Sequence, residues 1–196
     1  AKDYVYAHPE KMVTFLDNHD LARFYGVVGK DFEKFKMGIG MLMTMRGIPS
    51  LYYGTEILMS ETDGHGKIRE DFPGGWPADS LDKFSAEGRS DLENEAFDYI
   101  AALAELRQEN EGLHSGKTTQ YVPLDGLYVY FRHDEATTVM VVMNTHEETQ
   151  TLQLDRFKER TKGFKMATDV MSNKQQRLSD KSWEIPGHAT WILELR

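Results

Sequence analysis

No cysteine occurs among the 196 residues. That absence excludes disulfides, thiolate zinc sites, iron–sulfur clusters and a cysteine nucleophile, while leaving the compartment open. Long apolar runs are missing too. The longest strongly apolar stretch, Met37 to Met45, is far short of the ~20 residues that span a bilayer, so no membrane partner is expected. Residues 1–10 (AKDYVYAHPE) lack the basic and then apolar regions of a signal peptide. The first residue is not Met, which predicts a fragment or a processed product. Positive charge is scarce: 23 Lys and Arg stand against 32 Asp and Glu, for a net charge of −9. Phosphate backbones need clustered cations, so no nucleic-acid partner is expected. What is present suffices for a core, with 40% hydrophobic and 11% aromatic residues.

The first half alternates strand and helix. Met12 to Leu16 is a nearly continuous apolar run, which predicts a short strand buried on both faces. It stops at the polar cluster Asp17-Asn18-His19-Asp20. Asp31 to Arg46 reads as a helix, with Phe32, Phe35, Ile39, Leu42 and Met45 spaced by three or four and Met37, Met41 and Met43 as further core filler. Gly38 and Gly40 weaken it. Gly47 closes it, Pro49 prevents its resumption, and Ile48 to Tyr53 predicts a second buried strand. Thr55 to Ser90 follows as a long loop rich in Gly and Pro. Its aromatic residues Phe72 and Trp76 predict that it is ordered. Ser90 and Glu93 form a capping box that opens a helix, with Leu92, Ala96, Ile100, Leu103 and Leu106 on one face and an end near Gly112.

After Leu113 the texture changes to short β-rich runs: 118–122, 127–133, 137–144, 149–154, 164–171 and 183–195. Asp125-Gly126 is a hairpin turn signal between two of them. The pattern predicts a small antiparallel β-sandwich. The boundaries expected are residues 1–112 for the α/β part and 113–196 for the all-β part.

The chemistry-bearing cluster sits where the first strand ends. A carboxylate, an imidazole and an amide placed there can grip the hydroxyls of a polyol. Taken alone, the same residues serve equally well as the turn after a strand. A second motif decides between them. Phe15-Leu16-Asp17-Asn18-His19-Asp20 and, one helix later, Gly47-Ile48-Pro49-Ser50-Leu51-Tyr52-Tyr53-Gly54-Thr55-Glu56 together resemble the seventh and eighth barrel strands of the α-amylase family of glycoside hydrolases (family 13). The loop Gly66 to Trp76 is similar to that of its neopullulanase and cyclomaltodextrinase members. The tail, ending in residues 185–195, resembles the family's C-terminal β domain.

The resemblance implies an α/β plus all-β chain: the last two βα units of a (β/α)8 TIM barrel, followed by an antiparallel β-sandwich. It implies a retaining glycosidase acting on α-glucans such as starch, maltooligosaccharides, pullulan or cyclodextrins. Asp20 aligns with the family's third essential carboxylate, which clamps sugar hydroxyls as the ring flattens toward the transition state. His19 aligns with the histidine that hydrogen-bonds the same sugar. Asn18 belongs to the motif, with the turn as its main task. Arg69 is a candidate contact for a neighbouring glucose unit. Trp76 offers a face to stack on a sugar or an anchor for its loop. Asp17 receives no role, and Tyr53, Gly54 and Glu56 are expected to close the barrel behind the site. The other six histidines lack ligand-like spacing. The acidic loop residues Glu61, Asp63, Glu70 and Asp71 lack the oxygen pattern of a calcium loop. No metal or cofactor is therefore expected here, although calcium is common in the family.

Two parts of the family's machinery have no counterpart. Its nucleophile lies in a Gly-x-Arg-x-Asp motif, which Gly88-Arg89-Ser90-Asp91 does not fit, and no strand-borne Glu for the general acid precedes Asn18. The expected partners are thus an α-glucan and the missing N-terminal part of the same enzyme, and the chain alone is expected to be inactive. Two βα units cannot close a barrel, so residues 1–112 are expected to dimerise or to be partly disordered. The alternative reading is a non-catalytic carbohydrate-binding or structural domain. The compartment stays open, with the periplasm or another extracytoplasmic space slightly favoured.

Overall fold

The structure, a computed structural model, describes residues 3–196. Strands β1 (Val13–Thr14) and β2 (Ile48–Pro49) pair in parallel, Val13 opposite Ile48 and Thr14 opposite Pro49. Parallel neighbours need a crossover of a dozen or more residues. Here it contains a single-turn helix, α1 (Phe24–Val27), and then α2 (Phe32–Thr44). The Asp31 carboxylate starts α2 by accepting the Lys34 N–H at 3.1 Å. Gly47 has φ +104°, and a Cβ there would lie 2.5 Å from the Met12 carbonyl oxygen. Only glycine lets the chain re-enter beside β1.

These strands are shorter and barer than their apolar sequence predicts. Val13 is 58% and Ile48 is 52% exposed, and Phe15, Leu51 and Tyr53 are exposed with them. A parallel strand is buried on both faces only where further strands and helices cover it. Among the described residues this sheet has two strands.

Helix α3 (Asp91–Glu109) opens with the expected capping box, both Ser90–Glu93 bonds being present. Ala96, Ile100, Leu103 and Leu106 are buried as anticipated. Leu92 is exposed instead, because polar contacts of the preceding loop engage that first turn: Lys83 pairs with Glu93, and Arg89 donates to Asn94 Oδ1 at 2.8 Å. Met41 is likewise exposed rather than core filler. The loop is ordered by Phe72, whose ring lies 4.4 Å from that of Phe84, and by Lys83 N–H to the Pro73 carbonyl at 2.9 Å. Trp76 does not anchor it: it is 70% exposed.

One further turn of helix, α4 (Glu111–His114), leads into the β-rich half. Strands β3 (Lys117–Gln120), β4 (Leu127–His133) and β5 (Thr138–Asn144) form a meander. Asp125 and Gly126 both have positive φ, and Leu124 and Leu127 exchange both backbone bonds around them, as a two-residue hairpin requires. After β6 (Gln150–Gln153) comes a single turn, Leu154–Phe157, and the short helix α5 (Lys158–Thr161). Strands β7 (Met166–Asp169), β8 (Gln175–Arg177), β9 (Ser182–Ile185) and β10 (Thr190–Leu195) complete the chain. The six-stranded sheet has the order β3-β4-β5-β10-β7-β8, all pairs antiparallel, and β6 pairs with β9 in a second, two-stranded sheet.

Two features differ from the sequence reading. The run 183–195 is two strands in different sheets, because Pro186 and Gly187 interrupt the ladder and carry the chain across. The polar strand β8 shows no apolar alternation and lies at a sheet edge, where none is needed.

The central sheet has a core on each face. Tyr130, Val139, Val141, Met143 and Ile192 pack against Phe35, Ile39, Met43, Ala96, Tyr99 and Leu103 of the helices. Their alternate neighbours Val129, Phe131, Met140, Val142 and Leu193 pack against Leu152, Phe157, Trp183 and Ile185. Buried arginines seal the helix side. Arg107 donates to the carbonyls of Met43, Met45 and Gly47, and Arg132 to those of Thr44, Gly112 and Gly116. No described helix is long and apolar enough to cross a membrane.

Candidate functional site

The chain leaves β1 through Phe15 and turns at Asn18. The Asn18 side-chain oxygen accepts the N–H groups of Asp20 at 2.8 Å and Leu21 at 3.1 Å. This Asx turn aims His19 and Asp20 outward. Asp17 points the other way. It is 3% exposed, takes the Phe24 N–H at 2.9 Å, and accepts the Thr55 hydroxyl on both oxygens at 3.1 and 3.2 Å. It thereby ties the end of β1 to the turn after β2. The sequence reading gave Asp17 no role. Its burial depends on Thr55, 38 residues away, and no local signal announces that.

Arg69 arrives from the loop after β2, on the single turn Lys67–Arg69. Its Nη2 donates to Asp20 Oδ1 at 2.8 Å, and its Nε donates to the His19 carbonyl at 2.7 Å. His19 Nε2 lies 3.3 Å from Asp20 Oδ2. Each carboxylate oxygen of Asp20 therefore has a nitrogen-bearing group against it. The three side chains remain open to solvent, at 65% for His19, 63% for Asp20 and 44% for Arg69.

A second layer holds Arg69 in place. The Tyr53 hydroxyl donates to the Glu70 carbonyl at 2.8 Å. Beneath it Arg23, fully buried, donates to the Tyr53 carbonyl and lies 4.1 Å from the Tyr52 ring centroid and 4.8 Å from that of Tyr53. Burial and the neighbouring Tyr53 push the Tyr52 phenol above its usual range. Arg23 was not singled out from the sequence, since one arginine between Ala22 and Phe24 carries no pattern.

Of the five expected site residues, His19, Asp20 and Arg69 come together, and Asn18 forms the turn that presents two of them. Trp76 is not drawn into the cluster; its backbone N–H is held by the Asp79 carboxylate at 3.0 Å. The other two tryptophans lie on separate strands, Trp183 buried and Trp191 half-buried, with rings 6.2 Å apart. Neither forms part of an exposed aromatic row. Among the described residues no three His, Asp or Glu side chains gather to hold a metal ion.

The cluster lies at the C-terminal ends of two parallel strands, where α/β barrels place their active sites. Chemically it offers a carboxylate that accepts hydroxyl hydrogen bonds, with an imidazole and a guanidinium that donate them.

Comparison with known proteins places both halves of the chain among amylase-type sequences. Residues 2–73 match the family described as alpha amylase, catalytic domain, and residues 118–194 match the cyclo-malto-dextrinase C-terminal domain. A cyclomaltodextrin glucanotransferase of Bacillus sp. (strain 1-1) is 31% identical over 140 residues, which is 71% of this chain and 18% of the relative. An alpha-amylase of Niallia circulans is 31% identical over 144 residues, 74% of this chain and 24% of the relative. Among solved structures, the alpha-amylase of Geobacillus thermoleovorans, complexed with acarbose, superposes with a TM-score of 0.77 at 26% identity, covering 97% of this chain and 40% of that one. The chain thus spans less than a quarter of the length of these two curated relatives.

Proposed function

We propose that this chain, which belongs to the α-amylase family of glycoside hydrolases, is the sugar-gripping end of a retaining enzyme that acts on α-glucans. The convergence of His19, Asp20 and Arg69 at the ends of β1 and β2 carries the reading. Asp20 accepts hydrogen bonds from ring hydroxyls of the glucose unit at the cleavage point, and His19 donates one to the same unit. Arg69 fixes the Asp20 carboxylate until sugar arrives and then serves the neighbouring unit. These contacts tighten as the ring flattens toward an oxocarbenium-like state, so they lower the barrier rather than only the binding constant.

The nucleophile and the general acid come from a part of the enzyme that this sequence does not contain. Retaining chemistry needs both, about 5–5.5 Å apart; the reading is supported by the sequence, where Gly88-Arg89-Ser90-Asp91 does not fit the family's nucleophile motif and no strand-borne Glu precedes Asn18. The partners are therefore that catalytic remainder and an α-glucan.

The test is reducing-sugar release by the chain on starch, pullulan and cyclodextrin, with Asp20→Asn as control. No release is expected. Release abolished by Asp20→Asn would mean that the chain supplies its own nucleophile and acid. In an enzyme that includes the remainder, Asp20→Asn is expected to lower kcat on the order of 10²–10³-fold with a smaller effect on KM. An unchanged kcat there would remove Asp20 from the mechanism.

A further inference from the structure

The chain carries a concave site that shares no residue with the Asp20 cluster. It lies in the β-rich half, where the turn after α5 meets the paired ends of β7 and β8. Its volume is about 660 Å³, within the range of small-molecule sites. Phe164, Met166 and Leu178 supply an apolar floor, and Lys162, Lys165 and Arg177 stand around it. The hairpin register fixes this grouping. Met166 pairs with Arg177, and the Leu178 N–H donates to the Lys165 carbonyl at 3.0 Å.

The charge is anomalous for this protein. Residues 155–181 contain eight Lys and Arg against four Asp and Glu, in a chain whose net charge is −9. Several cations elsewhere are matched to carboxylates, as Lys36 to Glu33, Arg69 to Asp20 and Lys83 to Glu93. At this site Lys158 is matched to Asp155. Lys162, Lys165 and Arg177 have no carboxylate partner among the described residues. Uncommitted like charges around one hollow repel one another and raise the positive potential there. An anion relieves both.

We propose that this hollow binds a phosphomonoester carried on a sugar ring. The phosphate brings close to two negative charges and three acceptor oxygens to three cations, one of them the bidentate guanidinium of Arg177. The sugar lays its apolar CH face on the Phe164 and Leu178 floor. The phosphate group is either free, on a monosaccharide, or borne by a glucan chain. The site does not depend on the reading of Asp20.

Isothermal titration calorimetry on the 196-residue chain at low ionic strength decides. The probes are glucose 6-phosphate, glucose, inorganic phosphate and a phosphorylated maltodextrin. Glucose 6-phosphate is expected to bind, glucose not to bind, and inorganic phosphate to bind at least several-fold more weakly. Tighter binding of the maltodextrin assigns the chain-borne source, and weaker binding the free one. Lys162→Ala and Arg177→Ala alter exposed side chains. Each is expected to weaken glucose 6-phosphate about tenfold with an unchanged far-ultraviolet circular dichroism spectrum. Arg177→Lys should recover part of the loss. The proposal fails if glucose 6-phosphate gives no heat, if inorganic phosphate binds as tightly, or if both folded alanine variants bind it as the parent does.

Discussion

Asp17 and Asp20 are three residues apart and do opposite work. Asp17 spends both oxygens inside the protein, on the Phe24 N–H and the Thr55 hydroxyl. Asp20 stays open to solvent with Arg69 and His19 at its edges. Removing Asp17 strands the buried Thr55 hydroxyl, at a cost of about 1–3 kcal/mol, and the part-buried Phe24 N–H. Asp17→Ala is thus expected to lower the stability of the chain by at least ~1 kcal/mol, read as a lower urea midpoint. Asp20→Ala, on an exposed side chain, should leave that midpoint nearly unchanged. Equal losses in both variants would contradict this division of labour. The resemblance of this motif to the α-amylase family made Asp20, His19 and Asn18 visible in the sequence; the residue types alone serve equally well as a turn. Arg69 was reachable through its loop. Asp17, Tyr53 and Arg23 were not assigned these contacts, because their partners lie up to 38 residues away and tertiary packing alone brings them together.

At the scale of elements, local rules worked wherever the interaction is local. The capping box at Ser90 joins atoms three residues apart, so spelling suffices. Ser90→Ala is expected to cost about 1 kcal/mol, measured by the thermal midpoint. The Asp125-Gly126 turn is equally local. The split of residues 183–195 does have a local signal, Pro186-Gly187, whereas strand β8 was hidden because its sheet membership is decided by its neighbours, not by the strand itself. His133, at the end of β4, shows the same dependence. Burial holds its imidazole below the ordinary histidine range, and Arg160, Lys117 and Arg132 lower it further. The unfolded chain takes up the proton near pH 6.5, and the folded protein only at lower pH. Stability contributed by the neutral ring is therefore fully present above about pH 6.5 and falls as the pH drops toward the folded value. In urea titrations between pH 7 and 5, His133→Gln should lose less stability than the parent chain. A parallel decline would mean that His133 titrates normally in the fold.

At the scale of the whole molecule, the two ends are unequally covered. The central sheet has a core on each face. Around the β1–β2 pair Val13, Phe15, Ile48, Leu51 and Tyr53 are each exposed, and exposed apolar residues concentrated in one segment mark an interaction surface. Open strand edges beside such a face favour pairing with another chain. Sedimentation of the chain is expected to show concentration-dependent association above the 22.5 kDa monomer, reduced by Ile48→Lys. A 22.5 kDa species at every concentration would show that the face is tolerated bare.

The sequence by itself determined the α/β then all-β order, the two sugar-motif segments, the helix starts and the hairpin turn. The order, the helix starts and the turn rest on residues close in the chain or on a spacing that geometry imposes; the two motif segments rest on their resemblance to the α-amylase family. Only the tertiary structure decided that Arg69 reaches Asp20, that Asp17 turns inward and Trp76 outward, and that one sheet serves two cores. Those outcomes depend on which distant segments meet. The free energy of such meetings comes from burying surfaces and satisfying donors that no local stretch can supply alone.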